Sequence, residues 1–307
     1  MGSAETLLAV RARAETMLRN LRYRWRTPFR RERAGYSASN TVHPESVLFL
    51  VLDSCRYDTF ISATAPRLHS VGHIHCAHAP SHFTFGSHAA MFVGFTPGVF
   101  REPCPLLNPK VGKVFKLVGA GFPGKGGEAF VLRGRNIVDG FNKLGYHTAG
   151  TGGVSWFDPA TPASHALISD FGNFYYPGNA YSLPRQIAWI ERKLSGVGER
   201  PVFVFLNIGE THVPYYFAGA PWSRRDNPCV PFQVVDRSEE CRRRQIACIE
   251  FVDSQVSDLL SRFAHATTLI CSDHGDCWGE DGLWEHGISH PMTLTVPMVL
   301  RVRGRLI

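Results

Sequence analysis

Four short stretches of the chain, 47–52, 202–206, 267–271 and 296–301, are dominated by apolar and β-branched residues with little polar interruption. Runs of that length without strict alternation are the pattern of strands buried on both faces, as in a parallel sheet. Between them, 134–144, 184–196 and 238–263 carry their apolar positions at helical spacing. The succession of the two patterns predicts an α/β fold, a mostly parallel central sheet flanked by helices, with functional side chains at the carboxyl ends of the strands. A length of 307 residues with 44% hydrophobic content supplies the core of one large domain. The expected organisation is a catalytic domain over 45–307 preceded by a basic segment over 1–40.

Chemistry collects where those runs stop. Asp53 closes the first, Thr84 precedes the small apolar, helix-like run 89–93, and His212 follows 202–206. After 267–271 come Asp273 and His274, with His286 a few residues on, so that Cys271 to His286 holds three candidate ligands within sixteen residues. Oxygen and nitrogen donors at several strand ends are the raw material of a metal site. Gly275 permits a sharp turn beside it. Taken alone, Asp273 would serve equally well as a turn cap and the histidines as surface residues; it is the partners elsewhere that favour the metal.

In the same order, these segments resemble the motifs of the alkaline-phosphatase superfamily, in its sulfatase-like and phosphoethanolamine-transferase-like branch. The stretch from Asp53 to Asp58 is similar to D-D-x-R-x-D. Thr84-Phe85-Gly86-Ser87-His88-Ala89-Ala90-Met91-Phe92-Val93-Gly94 aligns without a gap to the nucleophile segment C-x-P-S-R-A-x-L-L-T-G. Leu144 to Ala149 resembles A-G-Y-x-T-A, and His212-Val213-Pro214 resembles H-x-P. Ser272-Asp273-His274-Gly275, Gly279-Glu280, His286-Gly287 and Val296-Pro297 resemble the closing elements. The resemblance implies Thr84 as nucleophile and Asp53, Thr84, Asp273 and His274 as metal ligands. It further implies His88, His212 and His286 as substrate contacts, with His212 and His286 also catalytic. A second ion held by His212, His286 and His290 is the alternative use of those histidines.

Departures from the sulfatase pattern shape the expected reaction. Thr84 cannot be oxidised to formylglycine, Ser54 replaces the second Asp of the opening pair, and His274 replaces the Asn that often follows the late Asp. The mixed oxygen and nitrogen set suits zinc or manganese better than calcium. The expected activity is therefore metal-dependent phosphoryl transfer, hydrolysing a phosphate mono- or diester or a phosphonate through phospho-Thr84. Transfer of a phospho-linked group to an alcohol acceptor is the alternative, and a non-catalytic scaffold the second one. The substrate is expected to be a small-molecule or lipid-linked phosphoester.

Charge is localised. Residues 1–35 contain nine Arg and three Glu, a formal +6 of the chain's +7. With Leu7, Leu8, Met17, Leu18, Leu21 and Trp25 interspersed, this reads as an amphipathic basic helix ending before Pro28. Peripheral membrane contact, protein contact, or docking on the domain are the expected uses of 1–34; no nucleic-acid partner is expected, since no reading motif accompanies the charge. Lys110, Lys113, Lys116 and Lys125 mark a long loop expected over the site, and Tyr215, Tyr216, Phe217 and Trp222 an aromatic segment after His212. No stretch reaches the ~20 apolar residues of a membrane span and no signal-peptide pattern opens the chain. Eight Cys without close pairing are consistent with reduced thiols. From these the protein is expected to be cytoplasmic.

Overall fold

The computed structural model describes residues 41–94, 106–107, 135–231 and 233–307; the basic segment and the four lysines of the predicted loop lie outside the described residues. Strands run in chain order as β1 (Val47–Leu52), β2 (Ile74–His78), β3 (Leu106–Leu107), β4 (His147–Gly152), β5 (Asn173–Tyr175), β6 (Val202–Ile208) and β7 (Thr267–Ser272), then β8 (Cys277–Trp278), β9 (Trp284–Glu285), β10 (Ile288–Ser289), β11 (Thr295–Val302) and β12 (Arg305–Leu306). The main sheet has the order β12-β11-β7-β1-β6-β4-β5, with β2 also paired to β11. From β7 to β5 every pairing is parallel, whereas β11 runs antiparallel to β7, β2 and β12. This is the mostly parallel sheet that the sequence predicts.

The unbroken apolar runs have a simple cause. In β1, Leu48, Leu50 and Leu52 join one buried cluster and Phe49 and Val51 the other. β6 divides likewise, Val202, Val204, Leu206 and Ile208 against Phe203 and Phe205. Successive side chains on a strand face opposite ways, so a sheet covered on both faces needs apolar residues at every position. The first cluster is covered by the helices Leu183–Leu194 and Ser238–Arg262, the second by Thr84–Val93, Ile137–Lys143 and Pro162–Ile168.

β4 escapes a hydrophobicity reading because two of its six residues are glycines. A Cβ on Gly152 would sit 2.1 Å from Cγ of Phe157, and one on Gly150 would sit 2.7 Å from the Phe171 ring. The strand gives up side chains so that neighbouring aromatic rings can fill its face.

A candidate metal centre at the carboxyl end of the sheet

β1, β6 and β7 lie side by side and parallel, with Leu52 in register with both Ile208 and Ser272, so the segments that follow them emerge at one edge. Asp53 and Asp273 leave the two neighbouring strand ends and are completely buried. Thr84 begins the helix Thr84–Val93, which Gly94 ends in a left-handed conformation. Its Oγ1 lies 3.2 Å from His274 Nε2 and 3.5 Å from Asp53 Oδ1. His274 Nε2 is in turn 3.8 Å from Asp53 Oδ1 and 3.7 Å from Asp273 Oδ2. Asp53, Thr84, Asp273 and His274, scattered over more than two hundred positions of sequence, thus converge on one point.

Each of these groups is held by its other side. Asn207 Nδ2 donates to Asp53 Oδ2 at 2.8 Å, leaving Oδ1 toward Thr84. Asp273 Oδ1 accepts from the backbone N–H groups of Ser54 (3.1 Å) and His274 (3.0 Å), while Oδ2 is buried with no hydrogen-bond partner. His274 Nδ1 donates to the Gly275 carbonyl at 3.0 Å, so Nε2 carries the lone pair. Ser87 Oγ donates to the Asp273 carbonyl and pins the helix Thr84–Val93 to the strand end. Gln245, from the long helix, donates to the carbonyls of Ser54 and Thr211. Gly275 is required by close approach: a Cβ there would lie 2.2 Å from the Met292 carbonyl oxygen. Ser54 and Glu285, next to Asp53 and His286, both hold φ near +60°, a conformation that costs a non-glycine residue energy and concentrates at functional sites.

The electrostatics are those of a cation site. Burial first, and then the Asp53 charge, push the Asp273 carboxyl well above its ordinary range. Burial, reinforced by the positive potential of His286, drives His274 well below its own, so it stays neutral. Two buried carboxylates, one orphaned oxygen, a hydroxyl and an imidazole lone pair make a donor set that fits a divalent ion.

The remaining predicted residues divide. The His286 ring lies 4.5 Å from that of His274 and 5.1 Å from that of His212, centroid to centroid, so both histidines border the centre. His212 Nδ1 donates to the Val213 carbonyl. His88 is wholly buried one turn beyond Thr84; its Nδ1 donates to the Thr84 carbonyl at 2.9 Å and lies 3.6 Å from Asp273 Oδ2, with its ring edge-on to Phe157 and Phe205. His290 is not brought into this group: its Nδ1 caps the short helix Pro291–Leu294 and its Nε2 donates to Asp281. Of the aromatic segment, Tyr215 is wholly buried and its hydroxyl reaches Asp276 at 2.8 Å. Sequence reasoning missed Asp276, which accepts from His286 Nδ1 at 2.7 Å, and Asn207. The only signal for either was its place within or just before a motif already singled out.

No protein-family model and no curated protein matches the chain. Solved structures do. The C-terminal periplasmic domain of phosphoethanolamine transferase EptC from Campylobacter jejuni superposes with a TM-score of 0.56 at 14% identity, covering 86% of this chain and 81% of that one. The fold is that of the alkaline-phosphatase superfamily, a member of which from Vibrio parahaemolyticus is also among the matches. EptC from Escherichia coli, a periplasmic domain in complex with zinc, matches at 0.53 and 11% identity over 86% and 74% of the two chains. Phosphonate monoester hydrolase of Agrobacterium radiobacter matches at 0.54 and 14% over 86% and 70%. These findings correct the cytoplasmic location expected from the sequence, because both EptC structures are periplasmic domains. That expectation rested on sequence patterns alone, which do not record the compartment in which a fold of this kind works. Among the described residues no helix is long and apolar enough to cross a membrane.

Proposed function

We propose that the protein is a divalent-metal-dependent phosphoryl-transfer enzyme that hydrolyses a phosphate mono- or diester, or a phosphonate ester, with Thr84 as nucleophile. The observation that carries this reading is the convergence of Thr84 Oγ1 with His274 Nε2, Asp53 Oδ1 and the orphaned Asp273 Oδ2. Asp53, Asp273, His274 and Thr84 would hold the ion, zinc or manganese, and when bound it supplies positive charge that favours the ionised Thr84 oxygen and a transferring phosphoryl group. Thr84 ionises, its proton going to solvent, and Oγ1 bonds to phosphorus while the bond from phosphorus to the leaving oxygen breaks. His286 or His212, in its doubly protonated imidazolium form, gives that oxygen its proton. Water then attacks phospho-Thr84, returning the hydroxyl and releasing the phosphoryl product. A helix start leaves its first N–H groups without intrahelical acceptors, so Thr84 at that position also offers the phosphoryl oxygens a favourable dipole.

A second reading, transfer to an alcohol acceptor in place of water, is favoured by the likeness to EptC. It carries with it an exported, periplasmic location. The complete donor set argues against a non-catalytic scaffold. The test is turnover of aryl phosphate mono- and diesters and an aryl sulfate by zinc- or manganese-loaded protein, with mass spectrometry of the quenched enzyme. Phosphoester cleavage and a phosphorylated Thr84 are expected, and Thr84→Ala is expected to be inert. A fully active Thr84→Ala would sink the mechanism, whereas phosphorylated Thr84 with slow release would favour the transferase.

A further inference from the structure

Asp276, Tyr215 and Trp278 play no part in the chemistry above, yet all three are buried at its edge. Trp278 Nε1 lies 2.7 Å from the Tyr215 hydroxyl, that hydroxyl 2.8 Å from Asp276 Oδ2, and Asp276 Oδ1 2.7 Å from His286 Nδ1. The direction of this chain is forced by what each group can do. An indole N–H only donates, so the tyrosine oxygen accepts from it and must pass its own proton onward. An ionised carboxylate only accepts, so it takes the tyrosine proton at Oδ2 and requires an N–H from His286 at Oδ1. The β8–β9 ribbon fixes the ends of the arrangement, pairing Cys277 with Glu285, the residues that follow Asp276 and precede His286. Arg56 lies over the Trp278 ring at 4.1 Å, seating the far end of the chain.

We infer that Asp276, anchored by Tyr215 and Trp278, is a positioning residue that holds His286 as its Nδ1–H tautomer and leaves Nε2 as the nitrogen offered to the substrate side. Asp276 lies close enough to His274 and His286 to be considered a ligand of a second ion. Both of its oxygens are already engaged, which assigns it to orientation instead. The inference deepens the phosphoryl-transfer reading, but its spectroscopic part stands apart from activity.

The replacement Asp276→Asn makes the logic visible. Tyr215 still has a proton to donate, so the amide must turn its oxygen to Tyr215 and its NH2 to His286. Nδ1 must then accept, and the proton moves to Nε2. Removing the tyrosine hydroxyl in addition, with Tyr215→Phe, frees the amide to turn its oxygen to His286 and restores the original tautomer. The experiment is 15N NMR of histidine-labelled, chelator-treated protein at alkaline pH, with the His286 signals assigned by their loss in His286→Gln. The expected result is Nδ1–H in wild type, Nε2–H in Asp276→Asn, and Nδ1–H again in the double variant. In parallel, kcat for an aryl phosphate is expected to fall ~10- to 100-fold in Asp276→Asn with KM and bound zinc unchanged. That fall should vanish when the substitution is made in a His286→Ala background. An Nε2–H tautomer in wild type, or loss of a bound zinc equivalent in Asp276→Asn, overturns the proposal, and the wild-type spectrum decides it even should the variant fail to fold. Turnover absent on every ester with the expected spectra would count against the phosphoryl-transfer reading alone.

Discussion

Asp273→Asn should change the protein in opposite directions with and without metal. Candidate ligand oxygens of Asp53 and Asp273 lie within 4.8 Å of one another. Two full charges at that separation repel by ~3 kcal/mol at an effective dielectric of about 20. The chelated protein partly escapes this by protonating Asp273, whose carboxyl is held well above its ordinary range by burial and by Asp53. A carboxyl raised in the folded state contributes stability at low pH that is lost as pH climbs from the unfolded value, about 4, through the folded one. Wild type in chelator should therefore weaken relative to Asp273→Asn as pH rises, with the variant ahead by roughly 1–3 kcal/mol at pH 9. Asn keeps the oxygen that accepts from Ser54 and His274, so those two backbone bonds survive. Zinc reverses the order: saturation at a hundred times Kd adds about 2.7 kcal/mol to a protein with the site intact, and far less to one missing an anionic donor. Urea unfolding at pH 6 and pH 9, in chelator and in zinc, measures all four states. If zinc stabilised both proteins equally, or if chelated wild type were the more stable at pH 9, the two carboxylates would not be a cation site.

Three further outcomes are expected. Asn207→Ala removes the donor to Asp53 Oδ2 and should weaken zinc affinity ~10- to 100-fold, read by competition with a chelating dye, while leaving the chain folded. Glu210 is buried behind the N-terminus of the helix Leu183–Leu194, where burial pushes its carboxyl up to about 8; wild type should lose stability as pH rises through that value, and Glu210→Gln, which has no charge to bury, should not. Parallel unfolding midpoints for the two proteins from pH 5 to 9 would count against it. Gly152→Ala places a methyl 2.1 Å from Phe157 and should cost ~1–3 kcal/mol or more of stability in denaturant titration, although an apolar-for-glycine change in a strand would ordinarily help.

What the sequence conveyed, and what it withheld, follows from how each residue earns its place. β1, β6, β7 and β11 were legible because burial on both faces leaves a continuous apolar signature, and the long helix Ser238–Arg262 because its apolar positions recur at helical spacing. β4 was not, since its packing is supplied by Phe157, Phe171 and Phe174 from outside the strand. The same distinction runs through the site. Asp53, Thr84, Asp273 and His274 sit at element boundaries, where the change of pattern marks them and where the fold delivers parallel strand ends to one edge. Asn207 and Asp276 act through a neighbour's side chain, and nothing in one-dimensional spacing records which oxygen of Asp53 faces inward or which nitrogen of His286 bears the proton. His290 shows the same limit: its place four residues after His286 made it an alternative ligand of a second ion, whereas the chain between them is extended at β10 and the His290 ring turns back to cap the next helix. Donor type and strand-end position can be read from a sequence, whereas orientation needs the partner that enforces it.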